Sequence, residues 1–136
     1  MLHLDINWIS IILAMLVSMA LGMAWYMILA KQWAKATGKN KEDLMAGGSS
    51  APFIWAAIAQ LIMAFFIYQA TKIIFDGTID IKNAVIIGVH LWFGFILTSM
   101  IINHRYQNMS WKLTLIDGGY MLGVVVVQGV VIGLFA

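Results

Sequence analysis

The sequence predicts an all-α integral membrane protein: a four-helix bundle with the N-terminus and the C-terminus both on the outer side. Composition, charge segregation and loop charge point to it. Among 136 residues, eight are Lys or Arg and six are Asp or Glu, while 62% are hydrophobic; the mean hydropathy is +0.91. Residues 6–30, 44–71 and 83–104 carry no Asp, Glu, Lys or Arg, and residues 113–136 carry only Asp117. Each run exceeds the roughly 20 apolar residues that cross a hydrocarbon core of about 30 Å. The loop between the first two runs holds Lys31, Lys35, Lys39 and Lys41, and the one before the last adds Arg105 and Lys112. Lys72 and Lys82, offset by Asp76 and Asp80, are the outer counterpart. This asymmetry makes the first and third loops cytoplasmic.

The chain reads as one transmembrane domain over 1–136, with spans at about 7–30, 52–73, 83–103 and 112–135 and a cytoplasmic loop at 31–51. No length remains for a separate soluble domain. The absence of Cys excludes disulfides and thiolate metal sites. A pI near 9.0 reflects lysines at one membrane face, so the expected partner is the lipid bilayer and not nucleic acid.

The first span is expected to be retained. His3, Asp5 and Asn7 stand where a signal peptide has a basic region, and the apolar stretch is too long for one. Met15, Met19, Met23 and Met27 recur every four residues. Thioethers suit Cu(I), but adaptable apolar packing explains the ladder more simply. Ala14, Ser18 and Gly22 form a small stripe for close helix contact.

In the first loop, Asn40 is placed to cap a short helix through Leu44 and Met45, ended by Gly47. Ser50 and Pro52 suit the start of span two, since proline is tolerated in a first turn. Gln60 lies near mid-membrane. Asp76-Gly77 and Asp80 mark a tight outward turn. Tyr26, Trp33, Trp55, Tyr106 and Trp111 fit an inner aromatic belt, and Trp8 and Tyr68 an outer one.

Span three carries His90, Gly94, Thr98 and Arg105 within about 80° of one another, with Trp92, Ser99 and Asn103 opposite. Polar or small groups on both sides predict a central helix. His90 is a candidate proton relay or ligand; the alternative is a neutral ring bonded to Gln60, Gln128 or a backbone carbonyl.

In span four, Asp117 lies about 9 Å beyond the interfacial Trp111 at 1.5 Å per residue. A charge at the bilayer centre costs roughly 2.5–3.5 kcal/mol, less towards the edge. It must be paired, hydrated or protonated, and Asn103, His104 and Arg105 end the preceding span at similar depth. Gln128 falls about 20° from Asp117 around the helix. Gly119, Gly123 and Gly133 fall opposite, with Gly129 beside them, offering close approach within the chain or between subunits.

Several segments together resemble the membrane family catalogued as domain of unknown function 1761. They are Asn7-Trp8, Gly22, Trp25-Tyr26, Lys31, Trp33 and Gly38, then Trp92-Phe93-Gly94-Phe95, Asn103, Trp111-Lys112-Leu113, Gly119-Tyr120 and 129–134. Where relatives carry Ser-Pro after the Trp-Tyr pair, this chain has Met27-Ile28, so the helix break expected there is in doubt. The resemblance implies a four-helix protein of a bacterial inner membrane and no particular substrate.

No nucleophile–base pair, phosphate loop or metal centre stands out, and neither an enzyme nor a cofactor is expected. The first functional expectation is an oligomeric protein that moves a small solute or ion, proton-linked, along Asp117, Gln128, His90 and Gln60. The second is an accessory subunit of a larger membrane complex, its polar groups purely structural.

Overall fold

The computed structural model describes residues 5–38 and 50–136. The short helix expected between Asn40 and Gly47 lies outside the described residues, as do Lys39 and Lys41. The elements are α1 (Trp8–Ile28), α2 (Ala30–Thr37), α3 (Ala51–Ile74), α4 (Ile81–Leu91), a π-helical stretch (Trp92–Leu97), α5 (Thr98–Tyr106) and α6 (Trp111–Phe135). Four helical spans are long and apolar enough to cross a membrane: α1, α3, α4 to α5 continuously, and α6. The chain is all-helical among the described residues.

The helix boundaries follow local chemistry. The Asn7 side chain accepts from the Ser10 amide at 3.2 Å, Asp80 from Asn83 at 2.8 Å and Ser110 from Leu113 at 3.2 Å, each satisfying a helix-start N–H that has no partner within its helix. Pro52 occupies the first turn of α3. Gly38 ends α2 at φ 72°, a conformation glycine adopts without Cβ strain. With Met27-Ile28 after Trp25-Tyr26, α1 runs on to Ile28, and Leu29 joins it to α2.

One end of the bundle is tied by hydrogen bonds across three spans. Asn7 Nδ2 donates to Phe135 O at 2.6 Å, the Asn7 amide to Tyr68 Oη at 3.2 Å and Lys72 Nζ to Asp5 O at 2.6 Å. The first span therefore begins where the last one ends. The lysine-bearing α2 lies at the opposite end and abuts the start of α6, where Ser110 Oγ donates to Ala36 O at 3.4 Å.

The central helix is α6, not span three. Its buried residues run along its whole length, from Leu113 to Ile132, whereas the third span buries only Ala84, Ile87 and Gly88. Polar groups on two sides of span three suggested the reverse. Three of them are satisfied within their own helix, His90 Nδ1 with Ile86 O at 2.8 Å, Thr98 Oγ1 to Gly94 O at 2.8 Å and Ser99 Oγ to Phe95 O at 2.5 Å, while Trp92 Nε1 donates to Gly118 O of α6 at 2.8 Å. Local bonding to the preceding turn lets such residues face outwards.

Glycine sets the close approach. A Cβ at Gly129 would meet Val85 Cα and N at 2.9 Å, and one at Gly133 would overlap the Ile81 backbone. Gly88 reciprocates, 2.9 Å from Val125 O. Towards the other end, Gly119 faces Trp25 and Gly123 faces Leu21 of α1, while Gly22 faces Tyr120. The glycines of α6 thus serve two partners, α1 and α4, inside one chain. Because lipid tails are as apolar as the side chains, packing of this kind does much of the work of holding membrane helices together. Elsewhere the surface is apolar, with Ile9, Ile12, Leu16, Phe53, Ile62, Phe66 and Phe93 exposed, as lipid contact requires.

Candidate functional site

A polar seam runs through the bundle where α1, α3 and α6 meet. Gln128 is fully buried and donates to Ser18 Oγ at 3.1 Å and Gln60 O at 3.0 Å. Ser18 Oγ donates to Gln60 Oε1 at 2.6 Å, and Gln60 Nε2 to Tyr120 Oη at 2.6 Å. The Tyr120 ring meets Tyr26 edge-on at 5.1 Å, and Tyr26 Oη donates to Asp117 Oδ1 at 2.6 Å. Asp117 and Gln128 therefore share a seam, as their 20° separation implies, linked through side chains of two other helices. Beyond Gln128 the seam stops at Ile11, Ala14, Ala64, Ile67, Val131 and Ile132, part of the apolar core. Amide groups, moreover, are poor proton relays, because each carries its protons on nitrogen and accepts only on oxygen.

Titratable chemistry concentrates at the α2 end. His104 Nε2 lies 3.9 Å from Asp117 Oδ2, the His104 side chain 12% exposed and that of Asp117 23%. His104 Nδ1 is 2.7 Å from Thr114 Oγ1. Arg105 does not reach Asp117. Its guanidinium lies 3.6 Å from the centre of the Trp111 ring, and the two hydrogens of Nη2 are shared among Met109 O, Ser110 O and Thr114 Oγ1 at 3.0, 3.2 and 3.0 Å. Of the three residues expected near Asp117, His104 comes within ion-pair distance, while Arg105 closes the turn between spans three and four. Asn103 is exposed and makes no contact with Asp117.

His104 also opens outwards. With Phe95, Ile96, Ser99, Met100, Asn103, Gln107 and Met121 it lines a surface groove of about 530 Å³ between spans three and four. Three of its four polar members, Asn103, His104 and Gln107, lie at the α2 end, and the fourth is Ser99. The titratable pair thus touches the seam through Tyr26 and the groove through His104.

The remaining candidates divide. His90 is exposed and meets neither Gln60 nor Gln128; its bond is to its own helix. Gln60, Gln128, Asp117 and His104 are brought into one region. Ala14 is buried in the core and Ser18 is a hydrogen-bonding hub as well as a packing residue. Met23 and Met27 of the methionine ladder are exposed, and no group of three His, Cys, Asp or Glu residues that could hold a metal occurs among the described residues. Tyr26, Tyr120 and Thr114 were missed. Tyr26 fits an interfacial belt by position, and only its placement against Asp117 of a distant helix reveals its second role.

The family model for a protein of unknown function, DUF1761, matches residues 9–133, and the chain belongs to that family. No curated protein and no solved structure matches it.

Proposed function

We propose that this DUF1761 member is one subunit of an oligomeric membrane protein that moves a small solute or ion with proton exchange at Asp117 and His104. The observation that carries the reading is the position of this pair. A carboxylate and an imidazole lie within ion-pair distance, and the imidazole lines a groove open to the bundle surface. Intramembrane ionisable residues are costly and mark solute or proton pathways by default.

The route this supports differs from an interior path. The apolar layer around Ile67 and Ile132 closes the bundle beyond Gln128, so the seam serves as support that holds Tyr26 and Asp117 in place. The groove is the solute-facing side, and a second copy against it supplies the missing wall. The membrane is the cytoplasmic membrane of a bacterium, with α2 on the inner side. Reconstitution into liposomes tests the reading: wild type dissipates an imposed pH gradient, and Asp117→Asn with unchanged subunit assembly abolishes it. Equal leak from both proteins and from empty liposomes would retire it.

One observation favours the accessory-subunit reading. The buried side chains of the seam, Ser18, Gln60 and Gln128, hydrogen-bond to one another, as expected of a purely structural network. That reading predicts co-purification with larger unrelated membrane subunits in mild detergent, whereas the transport reading predicts a homo-oligomer.

A further inference from the structure

We propose that Thr114, held by Arg105, fixes the tautomer of His104 so that the ring proton sits on Nε2 and faces Asp117. The inference follows from counting hydrogens. Thr114 Oγ1 is buried, at 3% residue exposure, and has one hydrogen and two lone pairs. Arg105 Nη2, at 3.0 Å, can only donate, so it takes one lone pair. The hydroxyl hydrogen then needs an acceptor. A threonine in a helix commonly uses the carbonyl four residues back, here Ser110 O. Thr114 Oγ1 makes no bond to it, unlike Thr71 with Ile67 O and Thr98 with Gly94 O, and that oxygen accepts from the Thr114 amide at 3.4 Å.

The acceptor left is His104 Nδ1, at 2.7 Å. A hydroxyl that donates to Nδ1 leaves that nitrogen without a proton, and a neutral imidazole then carries its proton on Nε2. Nε2 is the atom directed at Asp117 Oδ2, 3.9 Å away. That separation is within ion-pair reach and beyond a hydrogen bond, so the pair is poised and not closed. Arg105 is fixed in turn by Met109 O at 3.0 Å and by the Trp111 ring at 3.6 Å. The turn between spans three and four thereby sets which ring nitrogen can exchange a proton with the carboxylate. Thr114 and Arg105 are positioning residues: neither lines the groove itself, and they act through His104.

The consequence for proton exchange rests on the transport reading above; the tautomer does not. The test is nitrogen NMR of the full chain in lipid nanodiscs with ¹⁵N-histidine, above the ordinary histidine titration range, with the His104 signals assigned by comparison with His104→Gln. Protonated and bare ring nitrogens are well separated in such spectra. The expected spectrum has Nδ1 bare and Nε2 protonated. Thr114→Val should redistribute the proton between the two nitrogens, and Thr114→Ser should restore the wild-type pattern. A wild-type ring with Nδ1 protonated, or a Thr114→Val spectrum identical to wild type, would overturn the proposal. The wild-type spectrum decides even if the valine variant fails to fold. A fixed tautomer in a protein that moves no protons would retire transport and leave this inference standing; flux that depends on Asp117 with Nδ1 protonated would do the reverse.

Discussion

Gly129→Ala is the sharpest probe of how the bundle is held. A methyl there would stand 2.9 Å from Val85 Cα and N and 3.0 Å from Ala84 C, whereas ordinary contact begins at 3.4 Å. All three atoms are backbone, so no rotamer change relieves the overlap, and α4 and α6 must part by about 0.5 Å. Overpacking of this kind costs about 1–3 kcal/mol. Gly94→Ala is the control, because nothing lies within 4 Å of its Cβ position; there the change should be neutral or, through helix propensity, stabilising by up to about 1 kcal/mol. Denaturant titration in mild detergent, followed by tryptophan fluorescence, compares the two, and light scattering counts subunits. The expectation is a lower midpoint for Gly129→Ala with subunit number unchanged. Equal midpoints for both variants, or an intact fold that loses its subunit contacts, would refute the assignment of this glycine face to packing inside one chain.

Three further substitutions separate roles. Tyr26→Phe removes the donor 2.6 Å from Asp117 and should cost about 1–3 kcal/mol of stability, but little when Asp117→Leu is already present; a double-mutant cycle gives the coupling. Arg105→Lys loses the planar stack on Trp111 and the fork that reaches Thr114, so stability should fall by about 1–2 kcal/mol despite conserved charge. His90→Leu, on an exposed helix surface, should change stability by less than about 0.5 kcal/mol, as the same titration would show.

Much of the architecture was readable because the physics of a span is local. Charge-free length and a proline in the first turn of α3 depend on neighbours in sequence; the caps Asn7, Asp80 and Ser110 are equally local but were assigned only by the structure. The Asp117–Gln128 stripe was readable too, since helical period alone places both on one face. What periodicity does not reveal is which helix a face meets. Polar residues on two sides of span three suggested a central helix, yet His90, Thr98 and Ser99 bond within their own helix and need no partner. Arg105 and Asp117 have opposite charge and similar depth, but the turn through Met109 and Ser110 captures the guanidinium first. Tyr26 and Tyr120 join the seam through contacts 91 and 60 residues away in sequence, a separation that no local pattern encodes.

The central claim is that any solute or proton path runs along the groove beside His104 and not through the seam at Gln128. Proton flux into liposomes, measured side by side for Asn103→Leu in the groove and Gln128→Leu in the seam at matched protein incorporation, tests it most directly. The account predicts flux reduced by at least tenfold in Asn103→Leu, a change of about 1.4 kcal/mol in the barrier, and flux near wild type in Gln128→Leu. Flux lost in Gln128→Leu and kept in Asn103→Leu would contradict it.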